Sequence, residues 1–198
     1  MNFPTVYLAS QSPRRRELLT QIGVDYSVIS AEIDESRRAG ETPADYVQRL
    51  AREKAAAGWV AVTQQHLPEL PVLGADTAVV LDGEVLGKPA DFAAAKTMLR
   101  ALSGRSHQVL TGVGVCRGDI LQTAMSTTTV WFRALSESEI EQYWHSGEPR
   151  DKAGAYGIQG LAAVFIERIE GSYSGVVGLP LFETAQLLTH FLPRQVAD

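Results

Sequence analysis

Three consecutive arginines, Arg14-Arg15-Arg16, follow Ser10-Gln-Ser12-Pro near the amino end of the chain. Ser-Pro at a strand-to-helix junction reads as an N-cap with proline at the first helical position. The arginines then fall in the first turn, where the partial positive charge of the helix terminus repels them. A bound anion would reverse that sign, because free N–H groups, the Ser10 and Ser12 hydroxyls and the guanidinium forks of Arg14 and Arg15 would all address a phosphate. The alternative is a solvated basic patch beside a routine cap. A second candidate is Asp76, in Gly74-Ala-Asp76-Thr77 within the apolar run Val72–Leu81. Strand alternation puts Asp76 on one face with Val72, Ala78 and Val80, while Leu73, Thr77, Val79 and Leu81 share the other. A carboxylate in so apolar a run needs a cation, a metal or a proton, since an unpaired buried charge is very costly. Asp76 is therefore a candidate metal ligand or general base, or else a carboxylate satisfied by an arginine or by backbone N–H groups.

Other residues carry less information alone. Lys54 lies seven residues after Val47 and four after Leu50, near the apolar stripe of a helix whose Arg49 and Glu53 form a surface i, i+4 pair. Such a lysine either snorkels outward or points into an anionic cleft, and snorkelling is the simpler outcome. Glu32, Asp34 and Glu35 could offer a carboxylate to a divalent cation, or stand as a solvated loop. Lys88 in Gly87-Lys88-Pro89 looks like a phosphate-binding lysine on a hairpin. It is no Walker A loop, because Gly83 to Gly87 is one residue too short and Pro89 replaces the required Ser/Thr. The stretch Asp151-Lys152-Ala-Gly154-Ala-Tyr156-Gly157-Ile-Gln159-Gly160 has glycines spaced to let backbone approach a ligand, or is simply a loop with tight turns. Gly171-Ser-Tyr-Ser-Gly175 has Tyr where a nucleophile elbow needs Ser.

The elements that must position these residues follow from local signals. A short buried strand over Thr5–Ala9 leads into the Ser12-Pro13 helix, which Gly23 closes, and Tyr26–Ile29 reads as a second strand. Thr42-Pro43 opens a long helix to about Gln64. The strand Val72–Leu81 runs through Asp82-Gly83, a hairpin signal, into Glu84–Leu86. Phe92–Leu102 is helical. Gln108–Cys116 and Ile120–Arg133 form a hairpin about Arg117-Gly118-Asp119. Ser136-x-x-Glu139 is a capping box for a helix ending at Gly147. After the glycine-spaced loop come a strand over Val164–Ile169 and a last helix around Phe182–Phe191. Mixed order with hairpins implies a mixed α/β sheet.

Composition narrows the class. With 198 residues, 45% hydrophobic and 21% charged, the chain suits one domain, residues 1–198, with a real core. Lys+Arg number 18 against 23 Asp+Glu, a net charge of −5, which argues against a nucleic-acid binder. The single cysteine, Cys116, cannot form an internal disulfide and reads as a small core residue. No apolar run approaches a membrane span. The apolar run Val6–Ala9 precedes the arginines, the reverse of a secretory signal, so the expected location is the cytoplasm.

In order along the chain, Leu8-Ala-Ser10-Gln-Ser12-Pro-Arg-Arg, Ala51-Arg-Glu-Lys54-Ala, Gly74-Ala-Asp76-Thr77, Gly87-Lys88-Pro, Asp151-Lys152-Ala-Gly-Ala-Tyr-Gly-Ile-Gln159-Gly and Val177-Gly-Leu-Pro180 closely resemble the Maf family of nucleoside triphosphate pyrophosphatases. Each motif is weak alone, and the ordered set is specific. The resemblance implies an inosine-triphosphatase-like (Maf/Ham1) α/β fold, with a twisted mixed sheet and a nucleotide cleft between two lobes. It implies hydrolysis of a nucleoside triphosphate to monophosphate and pyrophosphate, with Asp76 as proton acceptor. Asp76 and Glu35 would hold Mg²⁺ or Mn²⁺, and Ser10, Ser12, Arg14, Arg15, Lys54, Lys88 and Lys152 would serve the phosphates. Arg14, Thr77 and Gln159 resemble the branch acting on dTTP and UTP; the sister branch preferring 7-methyl-GTP carries Trp, Gln and Glu there. A homodimer is one assembly the sequence leaves open. Readings from other classes are a nucleotide-binding regulator without turnover and a sugar-nucleotide enzyme, which pyrophosphate release would separate.

Overall fold

The computed structural model describes residues 2–192. Apolar runs at the amino end form β1 (Val6–Leu8) and β2 (Tyr26–Val28), joined by α1 (Pro13–Gln21). Then follow α2 (Pro43–Gln64), β3 (Val72–Leu81), β4 (Glu84–Leu86), α3 (Phe92–Leu102), β5 (Ser106–Arg117), β6 (Ile120–Phe132) and α4 (Glu137–His145). Three 3-10 turns (Glu148–Asp151, Ala153–Ala155 and Leu161–Phe165) lead to β7 (Ile166–Glu170), α5 (Tyr173–Val177) and α6 (Leu181–Thr189).

Local chemistry sets most of these limits. Thr42 Oγ1 accepts from the Asp45 N–H at the start of α2, and Asp91 caps α3 in the same way. The α4 capping box between Ser136 and Glu139 is complete in both directions. Asp82 and Gly83 both take positive φ, 52° and 83°, the backbone a tight hairpin turn requires. Three expectations need correction. The strand expected from Val164 starts at Ile166, because the Leu161 and Ala162 N–H groups donate to the Glu148 carboxylate and tie the preceding residues into a 3-10 turn. Helix α5 was not expected; Ser172 caps it by accepting from Gly175 N–H. The last helix ends at Thr189 instead of Phe191, its chain tightening into i→i+3 bonds at His190 and Phe191.

Seven strands make one mixed sheet in the order β2-β1-β3-β5-β6-β7, with β4 paired to β3. The β1–β2 and β1–β3 pairs are parallel and the others antiparallel, so the expected mixed α/β architecture is what the chain forms. One face carries two cores along the length of β3 and β5. Leu73, Ala75, Val113 and Val115 pack with Leu18 and Leu19 of α1 and Leu187 and Leu188 of α6. Further along, Val79, Leu81, Val109 and Val130 pack with Leu99 and Leu102 of α3 and Ile140 of α4. Every other residue of β3 is buried, but Thr77, between the two cores, and its neighbour Asp76, on the opposite face, are half-buried. That opening is the cleft between two lobes.

Helix α2 covers the opposite face, and glycines let it lie close. A Cβ at Gly74 would sit 2.5 Å from the Ala55 nitrogen and 2.9 Å from Lys54 Cβ; one at Gly112 would meet the Val47 carbonyl at 2.8 Å. Gly74 pairs with Gly114, and Asp76 with Gly112. The helix thus crosses the sheet where side chains are missing, immediately beside Asp76.

Candidate active site

The cleft has a volume of about 1060 Å³ and is lined by Ser10, Ser12, Arg14, Arg15, Glu35, Lys54, Asp76, Thr77, Lys88, Lys152 and Gln159, the residues the resemblance assigns to the site. Asp76 enters from β3 on the α2 face, as alternation requires. Its Oδ1 accepts from Lys54 Nζ at 2.7 Å, and the same ammonium lies 2.7 Å from Glu35 Oε1. Lys54 is 13% exposed, so the expectation that it snorkels outward is overturned. The physical reason lies in Gly74: the helix settles onto the sheet there and the lysine stem has an anionic partner directly beside it. Of the carboxylates after β2, Glu35 reaches the cleft, whereas Asp34 accepts from its own Ser36 N–H and Glu32 lies outside the cleft lining.

The arginine-rich turn sits across the cleft, and its members part company. Arg15 turns inward, donating from Nη1 to Ser10 Oγ (3.0 Å), from Nη2 to Thr77 Oγ1 (3.3 Å) and from Nε to the Gly178 carbonyl (2.8 Å). Burial draws its pKa down from the usual value, offset in part by the Asp76 carboxylate. Thr111 Oγ1 also donates to Thr77 Oγ1, at 3.0 Å, so the threonine is fixed from two sides. Arg14 stays at the cleft surface, 3.9 Å from Asp151. Ser12 occupies the N-cap position, yet its hydroxyl makes no capping bond and the first turn holds no acidic residue. This helix end keeps its positive character toward the cleft.

The remaining candidates come from the two loops opposite. Lys88 follows β4 and is exposed at the cleft. Lys152 is more engaged, donating to the Asp151 carboxylate (2.7 Å) and the Glu148 carbonyl (2.8 Å); this pairing holds Asp151 below the usual carboxylate range. Gln159 is exposed on the glycine-spaced loop, and its side chain bonds to no other described residue. Glu148 and Tyr46 are lining residues that sequence reasoning missed. Glu148 accepts from Tyr143 Oη (2.8 Å) and the Leu161 N–H (2.8 Å), pinning the loop that carries Gln159. Tyr46 donates from its hydroxyl to the Glu35 carbonyl (3.0 Å), and burial, then the Asp76 and Glu35 charges, raise its pKa. Neither shows a recognisable local pattern, because the backbone groups they meet lie 11 to 14 residues away in the chain.

Asp76 and Glu35 already converge on one cation, the Lys54 ammonium. Two carboxylates meeting at a point suit Mg²⁺ or Mn²⁺, which commonly take one or two carboxylates and complete their shell with phosphate oxygens and water. Among the described residues no group of three or more His, Cys, Asp and Glu side chains gathers, so a bound ion would depend on the phosphates for the rest of its ligands. A cleft with acidic groups on one wall and Arg14, Lys88 and a bare helix N-terminus on the other can hold a polyphosphate and activate water against it.

Known proteins match this chain over nearly its whole length. The profile of the family described as Maf-like protein matches residues 5–191. A Chromobacterium violaceum protein named dTTP/UTP pyrophosphatase is 58% identical over 96% of this chain and 96% of its own. One of the same name from Vibrio cholerae is 57% identical over 96% of this chain and 100% of its own, and one from Aliivibrio fischeri 55% over 94% and 98%. The solved structure of the Staphylococcus aureus Ham1 protein aligns with 65% of this chain and 71% of that one, at 18% identity and a TM-score of 0.40, too distant to bear on the argument. With a profile match running from β1 through α6 and relatives aligned almost end to end, the chain belongs to the Maf-like family.

Proposed function

We propose that the chain is a nucleoside triphosphate pyrophosphatase that hydrolyses dTTP and UTP to the monophosphate and pyrophosphate. The observation that carries the reading is Asp76, a carboxylate on an apolar strand, held by Lys54 beside Glu35 in a cleft that Arg14, Lys88 and the α1 N-terminus also line. The activity for which the near-full-length relatives are named supports it.

In this reading water attacks the α-phosphorus, Asp76 takes the water proton, and the bond from the α-phosphorus to the α,β-bridging oxygen breaks, with the electron pair leaving on pyrophosphate. Lys54, bonded to Asp76 Oδ1, holds that carboxylate aimed into the cleft until substrate arrives. Arg14, Lys88 and the α1 N-terminus at Ser12 neutralise charge along the triphosphate. Arg15 holds Ser10 and Thr77 in place, and Lys152 supports the loop bearing Gln159. A divalent cation, Mg²⁺ or Mn²⁺, held by Asp76 and Glu35 would supply charge neutralisation at the phosphate oxygens and lower the pKa of the water. Gln159, with an amide donor and acceptor, matches the C=O and N–H edge of a neutral pyrimidine. Arg14 and Thr77 complete the set that favours pyrimidine triphosphates over 7-methyl-GTP, whose cationic ring would prefer an aromatic face and a carboxylate. The cytoplasm is the proposed place of work and a homodimer the assembly to test by sedimentation.

Pyrophosphate release, measured over canonical nucleotides and 7-methyl-GTP with and without metal, tests the reading. Expected is turnover of dTTP and UTP, loss of it with chelator, and much poorer use of purine triphosphates. Faster hydrolysis of 7-methyl-GTP than of dTTP and UTP would overturn the base assignment, and binding without turnover would overturn the enzyme.

A further inference from the structure

Glu35 is 60% exposed and sits in the irregular stretch of residues 29–42, yet its carboxylate meets Lys54 at 2.7 Å. A long, exposed side chain on an irregular segment does not hold such a position unaided, because backbone and rotamer freedom both oppose it. The backbone around Glu35 is fixed by α2. Three successive carbonyls accept from side chains of that helix: Asp34 from Arg49 Nη1 (3.5 Å), Glu35 from Tyr46 Oη (3.0 Å) and Ser36 from Arg49 Nη2 (2.9 Å).

Arg49 itself is 6% exposed and spends all five of its N–H donors. Besides the two carbonyls it reaches both Glu41 oxygens, through Nε and through Nη2 (2.9 Å), and Glu53 Oε2 through Nη1 (3.1 Å). The surface pair with Glu53 expected from spacing is one of these five bonds, and it is not a surface feature. The reason is tertiary: the segment folds back over α2, so its carbonyls and Glu41 cover the guanidinium. Glu41 is likewise nearly buried, 8% exposed, and closes the segment at its far end. The planar fork is what the arrangement requires, because a lysine ammonium has three donors on one atom and cannot make the five bonds to two carbonyls and two carboxylates.

We propose that Arg49 is a positioning residue for catalysis: by clamping the carbonyls on either side of Glu35 it aims that carboxylate at the Lys54–Asp76 pair. The proposal rests on Glu35 acting in the reaction proposed above. Its test is a cycle on the full chain, with dTTP as substrate, of Glu35→Gln, Arg49→Lys and the double variant. Arg49→Lys keeps the charge and the helix propensity and loses the fork. Displacement of a reacting group by about 1 Å costs on the order of 100-fold in rate, so kcat of Arg49→Lys should fall by about that factor while KM moves less than about threefold. In the Glu35→Gln background the same substitution should cost less than about threefold, since there is no longer a carboxylate to aim.

A merely structural role would reduce activity by the same factor in both backgrounds, and that result overturns the proposal. Near-normal kcat in Arg49→Lys, with Glu35→Gln inactive, overturns it while leaving the role of Glu35 standing. Normal turnover in Glu35→Gln removes the role of Glu35 and the proposal with it. Should Arg49→Lys fail to fold, Tyr46→Phe removes one of the three carbonyl bonds and spares the ion cluster. It should lower kcat by about fivefold in the native background and not in Glu35→Gln; equal losses would again overturn the clamp.

Discussion

Asp76, Lys54 and Glu35 form a chain of charges in which each member is meaningful through its neighbours. Lys54 at 2.7 Å from both carboxylates neutralises one of two negative charges that would otherwise repel across the cleft. Asp76→Asn keeps the size of the side chain and loses its charge and basicity. Turnover of dTTP should therefore fall by at least about 100-fold, the scale of a lost general base, while calorimetry still detects nucleotide binding through Arg14, Lys88 and the α1 N-terminus. Near-normal turnover in this variant would remove Asp76 from the chemistry.

At the scale of elements, the approach of α2 to β3 and β5 brings Lys54 within reach of Asp76. Gly74 is the tightest point: a Cβ there would lie 2.5 Å from the Ala55 nitrogen and 2.6 Å from the Ala51 carbonyl, both backbone atoms that cannot rotate away. Gly74→Ala should destabilise the fold by about 3 kcal/mol, the upper part of the range for overpacking, and lower kcat because the helix carrying Lys54 must lift. Gly87→Ala serves as the comparison, as nothing lies within 4 Å of its added Cβ and its φ is ordinary. Denaturant midpoints for the two variants should differ clearly; similar midpoints would mean the helix shifts without cost.

For the molecule as a whole, acid tolerance has two separable parts. His107 is 3% exposed in the α3–α4 core, with Nε2 2.7 Å from Tyr156 Oη and Nδ1 without a partner among the described residues, and burial lowers its pKa from 6.5 to about 4. Between those values the unfolded chain binds more protons than the folded one. Stability is thus complete above pH 6.5 and declines as pH falls to 4, by about 3 kcal/mol in all. His107→Phe should flatten ΔG of unfolding across that window; an unchanged slope would place the effect elsewhere. Glu41, Glu137 and Glu139 are each held at about 2, by Arg49, Arg100 and Arg133 respectively. Their contribution is present above pH 4.5 and disappears between 4.5 and 2, a separate and lower limb.

Elements whose ends depend on nearby residues were legible in the chain. The span Pro43–Gln64, the hairpin turn at Asp82-Gly83 and the capping box at Ser136 follow from caps and turn residues within a few positions, and the structure reproduces them. The face of Asp76 was legible too, because alternation is a local rule. The candidate residues around the cleft came from chemistry at single motifs and from their order. What spacing could not supply was the direction of Lys54, the burial of Arg49 or the 3-10 turn at Leu161–Phe165. On the helix alone Lys54 and Arg49 face solvent, and Val164–Ile169 alone is a good strand. Gly74, 20 residues after Lys54, lets the helix down onto a carboxylate; the Asp34–Glu41 segment folds over Arg49; Glu148 captures two N–H groups 13 and 14 residues on. Each outcome turns on desolvation and pairing, and those energies exist when distant segments meet and exclude water.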